Sequence, residues 1–174
     1  MPEKATVLVL FLIVLSAFTI TDKTDPEYDK LRRLELQALI EGKVGHEYLY
    51  DLTGIKGCNK TQIKYLGDVR TTKGKQYKIL TSFSVFSTSK DMCRGTSSVK
   101  IYNTKNRFIG EYYTGMPEAL PDSLKNNKLI YLENSDDCNL RMEQSIDFSN
   151  GLPKCFFLQC SKSGGNEYCF SSED

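Results

Sequence analysis

The sequence contains no tryptophan and a single histidine, His46, and its charges almost cancel. With 23 basic and 22 acidic side chains the formal net charge is +1, which gives no overall basic character for binding nucleic acid. Cys-x-x-Cys pairs, Gly-x-Ser-x-Gly and phosphate-binding glycine loops are missing as well. These absences predict a protein without a metal site, a cofactor, a catalytic set of residues or a nucleic-acid partner.

No apolar run reaches the about 20 residues that a membrane-spanning helix needs. The longest run, residues 7–15, follows Lys4 and precedes small and polar residues. This order is typical of a signal peptide, and we expect one over residues 1–19. The mature chain is then expected to begin between Phe18 and Lys23 and to have no stable membrane insertion, whereas an uncleaved anchor is the alternative.

The length of 174 residues suits one domain with a hydrophobic core. Hydrophobic residues make up 40% of the chain and charged residues 26%, which are values of an ordinary globular protein. The sequence therefore predicts a single β-rich domain over residues 25–170, preceded by the signal peptide.

One helix is predicted in the stretch "DPEYDKLRRLELQALIEGKVG". Asp25 is placed as its N-cap, Pro26 as its first residue and Gly42 as its end. Its apolar residues fall on one broad side and its charged residues on the other, so we expect the helix to pack against a sheet. The residues predicted to face the sheet are Tyr28, Leu31, Leu34, Ala38 and Leu39.

A first hairpin is predicted around the turn "RTTKGK", between the alternating stretches "IKYLGDV" and "KQYKILTSFSVF". Matching Val69 with Tyr77 places Ile63, Tyr65 and Val69 on a single face of the sheet. A second hairpin is predicted in "SVKIYNTKNRFIGEYY", with "NTKN" as its turn. Its expected register pairs Ile101 with Phe108 and leaves Lys100 on the opposite, more solvent-exposed face.

Further strands are predicted at "KLIYL", "QSIDF", "KCFFLQC" and "EYCF", separated by stretches rich in Asn, Gly, Ser and Pro. Successive strands with short connections favour an antiparallel meander. The expected fold class is α+β and mainly β, with the N-terminal helix packed on a curved antiparallel meander sheet. A small β-barrel or sandwich is the alternative.

Six cysteines lie beyond the predicted signal peptide, and in an exported protein they favour disulfides, with 15 possible connectivities for three bridges. A hairpin of "QSIDF" with "KCFFLQC" that matches Asp147 with Phe156 would bring Cys160 to the segment leading back to Cys138. We therefore predict a Cys138–Cys160 bridge. In the last hairpin, directly opposed pairing around "SKSGGN" would place Cys160 opposite Glu167 and not opposite Cys169.

Four blocks, "YLGDVRTTKGKQYKIL", "IYNTKNRFIGEYY", "LPDSLKNNKLIYL" and "IDFSNGLPKCFFLQC", resemble small exported proteins of Gram-negative bacteria, over about residues 63–170. This resemblance implies no particular activity and no catalytic residues. The resemblance implies a periplasmic or envelope location. Cys138 and Cys160 are more typical of the resembled group than Cys155 and Cys169. This implies fewer than three native disulfide bridges.

The leading functional hypothesis is an exported, periplasmic or secreted, non-enzymatic binding module for an unknown protein or small molecule. A second hypothesis is a carrier of small apolar ligands inside a closed β-barrel. A third is a hydrolase that uses His46 with Cys58. No ligand-binding residue is assigned, because tyrosines at strand positions such as Tyr65 and Tyr112 are expected for packing alone.

Overall fold

A computed structural model describes residues 26–51, 58–89, 92–132 and 143–172. The predicted signal peptide, residues 1–19, lies outside these ranges. Residues 31–174 form one compact unit, and the preceding unit contributes only residues 26–30 to the described part of the chain.

In the described residues one helix, α1, precedes ten strands that form two antiparallel sheets. The bounds are α1 (Pro26–Glu41), β1 (Glu47–Asp51), β2 (Lys60–Arg70), β3 (Gln76–Ser89), β4 (Met92–Tyr102), β5 (Phe108–Tyr113), β6 (Ser123–Lys125), β7 (Lys128–Leu132), β8 (Glu143–Asp147), β9 (Cys155–Gln159) and β10 (Gly165–Ser172). A seven-stranded sheet has the order β1-β2-β3-β4-β5-β10-β9, and a three-stranded sheet has the order β6-β7-β8.

The predicted class, mainly β with an N-terminal helix on an antiparallel sheet, is confirmed. The seven-stranded sheet stays open, with β1 and β9 at its two edges, so the closed-barrel alternative is wrong. The meander holds from β1 to β5 and then breaks, because β10 pairs with β5 and β9 lies outside it.

Helix α1 ends where the sequence predicts, at Gly42. This residue has a φ of +60°, and its N–H donates to the Ala38 carbonyl at 3.0 Å. A positive φ favours glycine, which explains why the helix stops there. Leu39 is buried as expected, and together with Ala38 it joins a core between α1 and the sheet. The buried members of this helix-side core are Ala38, Leu39, Tyr48, Ile63, Tyr65, Leu80 and Tyr102.

The first predicted hairpin is confirmed in its register near the turn, where Val69 pairs with Tyr77. The prediction that Ile63, Tyr65 and Val69 share one face is wrong. A bulge between Tyr65 and Gly67 shifts the register. An inserted residue reverses the alternation of side chains, so Ile63 and Tyr65 face α1 whereas Val69 faces the other sheet.

The second predicted hairpin is also present, but its register differs. The turn spans residues 103–107, one residue longer than expected, so Tyr102 pairs with Phe108. A bulge between Ile101 and Tyr102 adds a second residue, so Ile101 pairs with Gly110 and not with Phe108. Lys100 lies, as predicted, on the face opposite Val99 and Ile101. That face is not the more solvent-exposed one, because α1 covers it and the Lys100 Nζ forms an ion pair with Glu35.

The predicted hairpin of residues 144–148 with residues 154–160 is wrong. Strand β8 pairs with β7, and Asp147 lies opposite Lys128, whereas β9 pairs with β10. The connecting segment crosses from one sheet to the other, and Phe148 within it is fully buried. At the opposite ends of these two strands from the crossing, the Gln144 carboxamide bonds both backbone groups of Gln159: Nε2 donates to the carbonyl at 2.6 Å, and Oε1 accepts from the N–H at 2.8 Å.

A second core fills the space between the two sheets and is rich in aromatic rings. Tyr112 stands at its centre, with the Phe156, Phe170 and Phe148 rings 5.0, 5.2 and 5.9 Å away. The Tyr112 hydroxyl donates to the Pro153 carbonyl at 2.7 Å. The buried members of this inter-sheet core are Leu66, Val69, Ile79, Val99, Ile101, Tyr112, Leu129, Tyr131, Phe148, Phe156, Leu158 and Tyr168.

Candidate functional site

Two disulfides join described cysteines, Cys58 to Cys93 and Cys155 to Cys169. The second joins opposed residues of β9 and β10. The predicted partner of Cys160, Cys138, lies outside the described residues, so that bridge stays a prediction.

The hydrolase hypothesis loses its nucleophile in this structure. The Cys58 sulfur is bonded to Cys93, and a disulfide sulfur has no thiolate to attack a substrate. His46 is exposed, and its ring packs edge-on against Tyr48 with centroids 4.7 Å apart.

One group of potential metal ligands occurs in the described ranges, formed by Cys155, Cys169 and Glu167. Its two sulfurs are those of the β9–β10 disulfide, which leaves the Glu167 carboxylate as the one ionised donor. The tyrosines behave as the packing interpretation predicts: Tyr65 and Tyr112 are buried, and burial raises the pKa of both phenols.

A cluster of basic side chains lies at one end of the molecule, on three turns. We call it the basic end and define it by seven exposed residues. The members are Arg70, Lys73 and Lys75 from the β2–β3 turn, Lys105 and Arg107 from the β4–β5 turn, and Lys125 and Lys128 from the β6–β7 turn.

Strand register brings the first two turns together. Lys78 near the start of β3 lies opposite Tyr102 at the end of β4. The β2–β3 turn and the β4–β5 turn therefore leave the seven-stranded sheet at the same end. Five of the seven cations lie on these two turns.

Hydrogen bonds bring the third turn to the same place. The Asn127 Oδ1 atom accepts from the Arg70 N–H at 2.9 Å, and the Asn127 carbonyl accepts from the Phe148 N–H at 2.8 Å. Next to them the Thr72 N–H donates to the Ser149 carbonyl at 2.8 Å. The three-stranded sheet is thus tied to the seven-stranded sheet at the basic end.

Each turn is held by its own residues. The Asn103 Oδ1 atom accepts from the N–H groups of Lys105 and Arg107, at 2.8 and 3.0 Å. Asn126 and Asn127 both have positive φ, 51° and 61°, as a two-residue hairpin turn requires. The cations therefore project from defined backbone and not from loose loops.

Few carboxylates offset these charges. Asp147 lies opposite Lys128, and the Ser149 hydroxyl and N–H keep the pKa of Asp147 below its ordinary value. Asp68 precedes Arg70 and accepts from the Tyr65 hydroxyl at 2.5 Å. The ion pairs seen among the described side chains involve Lys43, Lys60, Lys64 and Lys100, none of which belongs to the basic end.

Seven cations therefore gather at one end of a chain whose formal net charge is only +1. Because the net charge is a sum over the sequence, it does not show that these cations lie together. The basic end could be found in the sequence from the basic residues in the turns "RTTKGK", "NTKNR" and "KNNK".

Comparisons with family models, with curated proteins and with solved structures gave no match to this chain. Within the residues that the structure describes, helix α1 falls short of the length and apolarity needed to cross a bilayer.

Proposed function

We propose that the chain is an exported, non-enzymatic binding module that recognises an anionic partner through the basic end. The observation that carries this proposal is the gathering of seven exposed cations on three turns, in a chain that is almost neutral. Like charges held close together repel each other, and an anionic partner relieves that repulsion.

Export is supported by two features. The N-terminal stretch has the order of a signal peptide. The two disulfides belong to an oxidising compartment, as found in the periplasm or outside the cell. The mature protein purified from that compartment is expected to begin between Phe18 and Lys23. N-terminal sequencing tests this, and a retained Met1 would contradict it.

The binding proposal is tested with dextran sulfate as a soluble polyanion, titrated at several NaCl concentrations. Removing one cation from each turn, with Lys73→Gln, Lys105→Gln and Lys125→Gln combined, is expected to weaken binding and to flatten its salt dependence. The physical reason is that each neutralised contact releases counterions from the polyanion, and fewer contacts release fewer ions.

A matched control removes the same number of charges elsewhere. Arg94, Lys154 and Lys162 are exposed and lie outside the three turns. Their combined change to Gln is expected to leave most of the affinity and the slope in place. Equal losses in the two triple variants would mean that net charge alone governs binding, and the proposal would fail.

A further inference from the structure

We infer that the anionic partner is the phosphate-bearing surface of a lipid bilayer. This inference rests on the proposed function and adds the chemical class of the partner. It is carried by the distribution of the seven cations, which come from turns of both sheets that lie at the same end.

The first argument is that charges on separate turns suit a two-dimensional array of phosphates. Residues of the β2–β3 and β4–β5 turns belong to the seven-stranded sheet, and those of the β6–β7 turn belong to the three-stranded sheet. Hydrogen bonds such as that from the Arg70 N–H to the Asn127 Oδ1 atom fix the spacing between the sheets. Several headgroups can then be contacted at once.

The second argument comes from the residue types. Five of the seven cations are lysines, which are compact charges on flexible stems and which do not need the planar geometry of a bidentate contact. Such side chains adapt to mobile headgroups. Strict recognition of one phosphate would instead favour arginine in a buried position.

The third argument concerns aromatic side chains. Proteins that follow a single nucleic-acid strand stack bases on exposed aromatic rings. Among the described residues the large exposed aromatic side chains are Phe86, Tyr113 and Phe157, and none belongs to the three turns. The same turns hold no large exposed apolar side chain, so adsorption would be electrostatic and without insertion into the hydrocarbon.

The fourth argument is orientation. Because the seven exposed cations are gathered at one end, an anionic surface attracts that end most strongly. The protein would therefore contact the bilayer through its three basic turns, with the strands of the seven-stranded sheet pointing away from the bilayer.

The test is co-sedimentation of the purified mature protein with vesicles in 0.15 M NaCl. Vesicles of phosphatidylglycerol and phosphatidylcholine are expected to bind it, and vesicles of phosphatidylcholine alone are not. Raising NaCl to 0.5 M is expected to release it, because the shorter Debye length screens exposed charges. Binding of equal strength to both vesicle types would overturn the inference, since it would indicate apolar adsorption.

Each basic residue near an anionic surface contributes roughly fivefold to binding, from about 1 kcal/mol per charge. The triple variant of Lys73, Lys105 and Lys125 to Gln is therefore expected to bind about 100-fold more weakly. The control triple variant at Arg94, Lys154 and Lys162 is expected to stay within about fivefold, because these residues lie outside the three turns. Equal losses would overturn the inference.

The vesicle and dextran sulfate measurements separate the two levels of the proposal. Binding to dextran sulfate through the basic end without binding to phosphatidylglycerol vesicles would reject the lipid partner and leave the anionic-partner proposal standing. No binding to either would reject both.

Discussion

The two faces of the seven-stranded sheet are buried by different kinds of contact. On the helix side, Glu35 is 7% exposed and bonds both the Lys100 ammonium at 2.5 Å and the Tyr102 hydroxyl at 2.7 Å. The Lys78 ammonium donates to the Leu39 carbonyl near the end of α1. The inter-sheet side has an aromatic and aliphatic core without a buried charge among its described members.

This difference indicates what fixes the positions of α1 and of the three-stranded sheet on the seven-stranded sheet. Directional polar bonds fix where α1 sits on the sheet, since a charge that leaves its partner in a buried site costs several kcal/mol. The three-stranded sheet is held mainly by apolar area and by the fit of rings, which stabilise without specifying a single bonded partner. Four predictions test this comparison, beginning with the largest effect.

Phe148→Ala should be the most damaging change, because Phe148 is fully buried between the sheets and packs near Tyr112. We expect a loss of about 3 to 5 kcal/mol in the free energy of unfolding, from lost burial and a residual cavity. Urea denaturation with intact disulfides measures it. Phe157→Ala is the control, since its ring is 53% exposed. A similar loss for both would mean that the inter-sheet core does not hold the layers together.

Glu35→Leu should cost about 2 to 3 kcal/mol, because it leaves the Lys100 ammonium, whose side chain is 18% exposed, without its partner. The double change of Glu35→Leu with Lys100→Met should cost less than the sum of the single changes. The coupling, measured in a double-mutant cycle by urea denaturation, is expected to be about 1 to 3 kcal/mol. Additive losses would show that the pair does not act as a unit.

Gln144→Ala should cost about 1 kcal/mol, since it removes two exposed hydrogen bonds between the sheets. Hydrogen exchange at the Gln159 amide is expected to speed up in the variant, because that N–H loses its acceptor. Gln76→Ala, at an exposed position of β3, serves as the control and should leave that exchange rate unchanged.

The smallest effect is expected from Glu41 on the helix side, and it depends on pH. The Gln37 amide, the Lys43 ammonium and the Tyr48 hydroxyl lower the pKa of the Glu41 carboxyl from 4.5 to about 2. Because the folded state binds the proton less readily, the stabilisation is present above pH 4.5 and disappears as the pH falls towards 2.

Unfolding of the wild type and of Glu41→Gln, followed between pH 7 and pH 2, measures this effect. The wild type should be more stable at pH 7, and the difference should close as the pH falls. A difference that remains constant over this range would show that Glu41 acts by packing and not by charge.

Much of the fold follows from local signals in the sequence. Pro26 and Gly42 mark the ends of α1, and alternation locates the strands around both predicted hairpins. Alternation is a property of one strand, however, and does not identify the partner strand. Residues 144–148 were therefore assigned to residues 154–160 as a hairpin, although they pair with β7.

The bulges and the basic end were missed for physical reasons as well. An inserted residue such as the one between Tyr65 and Gly67 leaves the amino-acid types on both sides unchanged, so the pattern of apolar residues hides it. The net charge of +1 is a sum and carries no position. Alternate turns of a meander share one end, and this rule, applied to the charges of successive turns, would have found most of the site.

The position of β10 has a consequence for biosynthesis. This strand follows β9 in the chain, yet it lies between β5 and β9 in the sheet. Strand β9 therefore has no place in the seven-stranded sheet until β10 has been synthesised and inserted. Residues 165–172 must therefore reach the compartment in which the chain folds before β9 can dock. A nascent chain that stops at β9 would expose Phe156 and Leu158, which are buried in the finished protein, to chaperones and proteases.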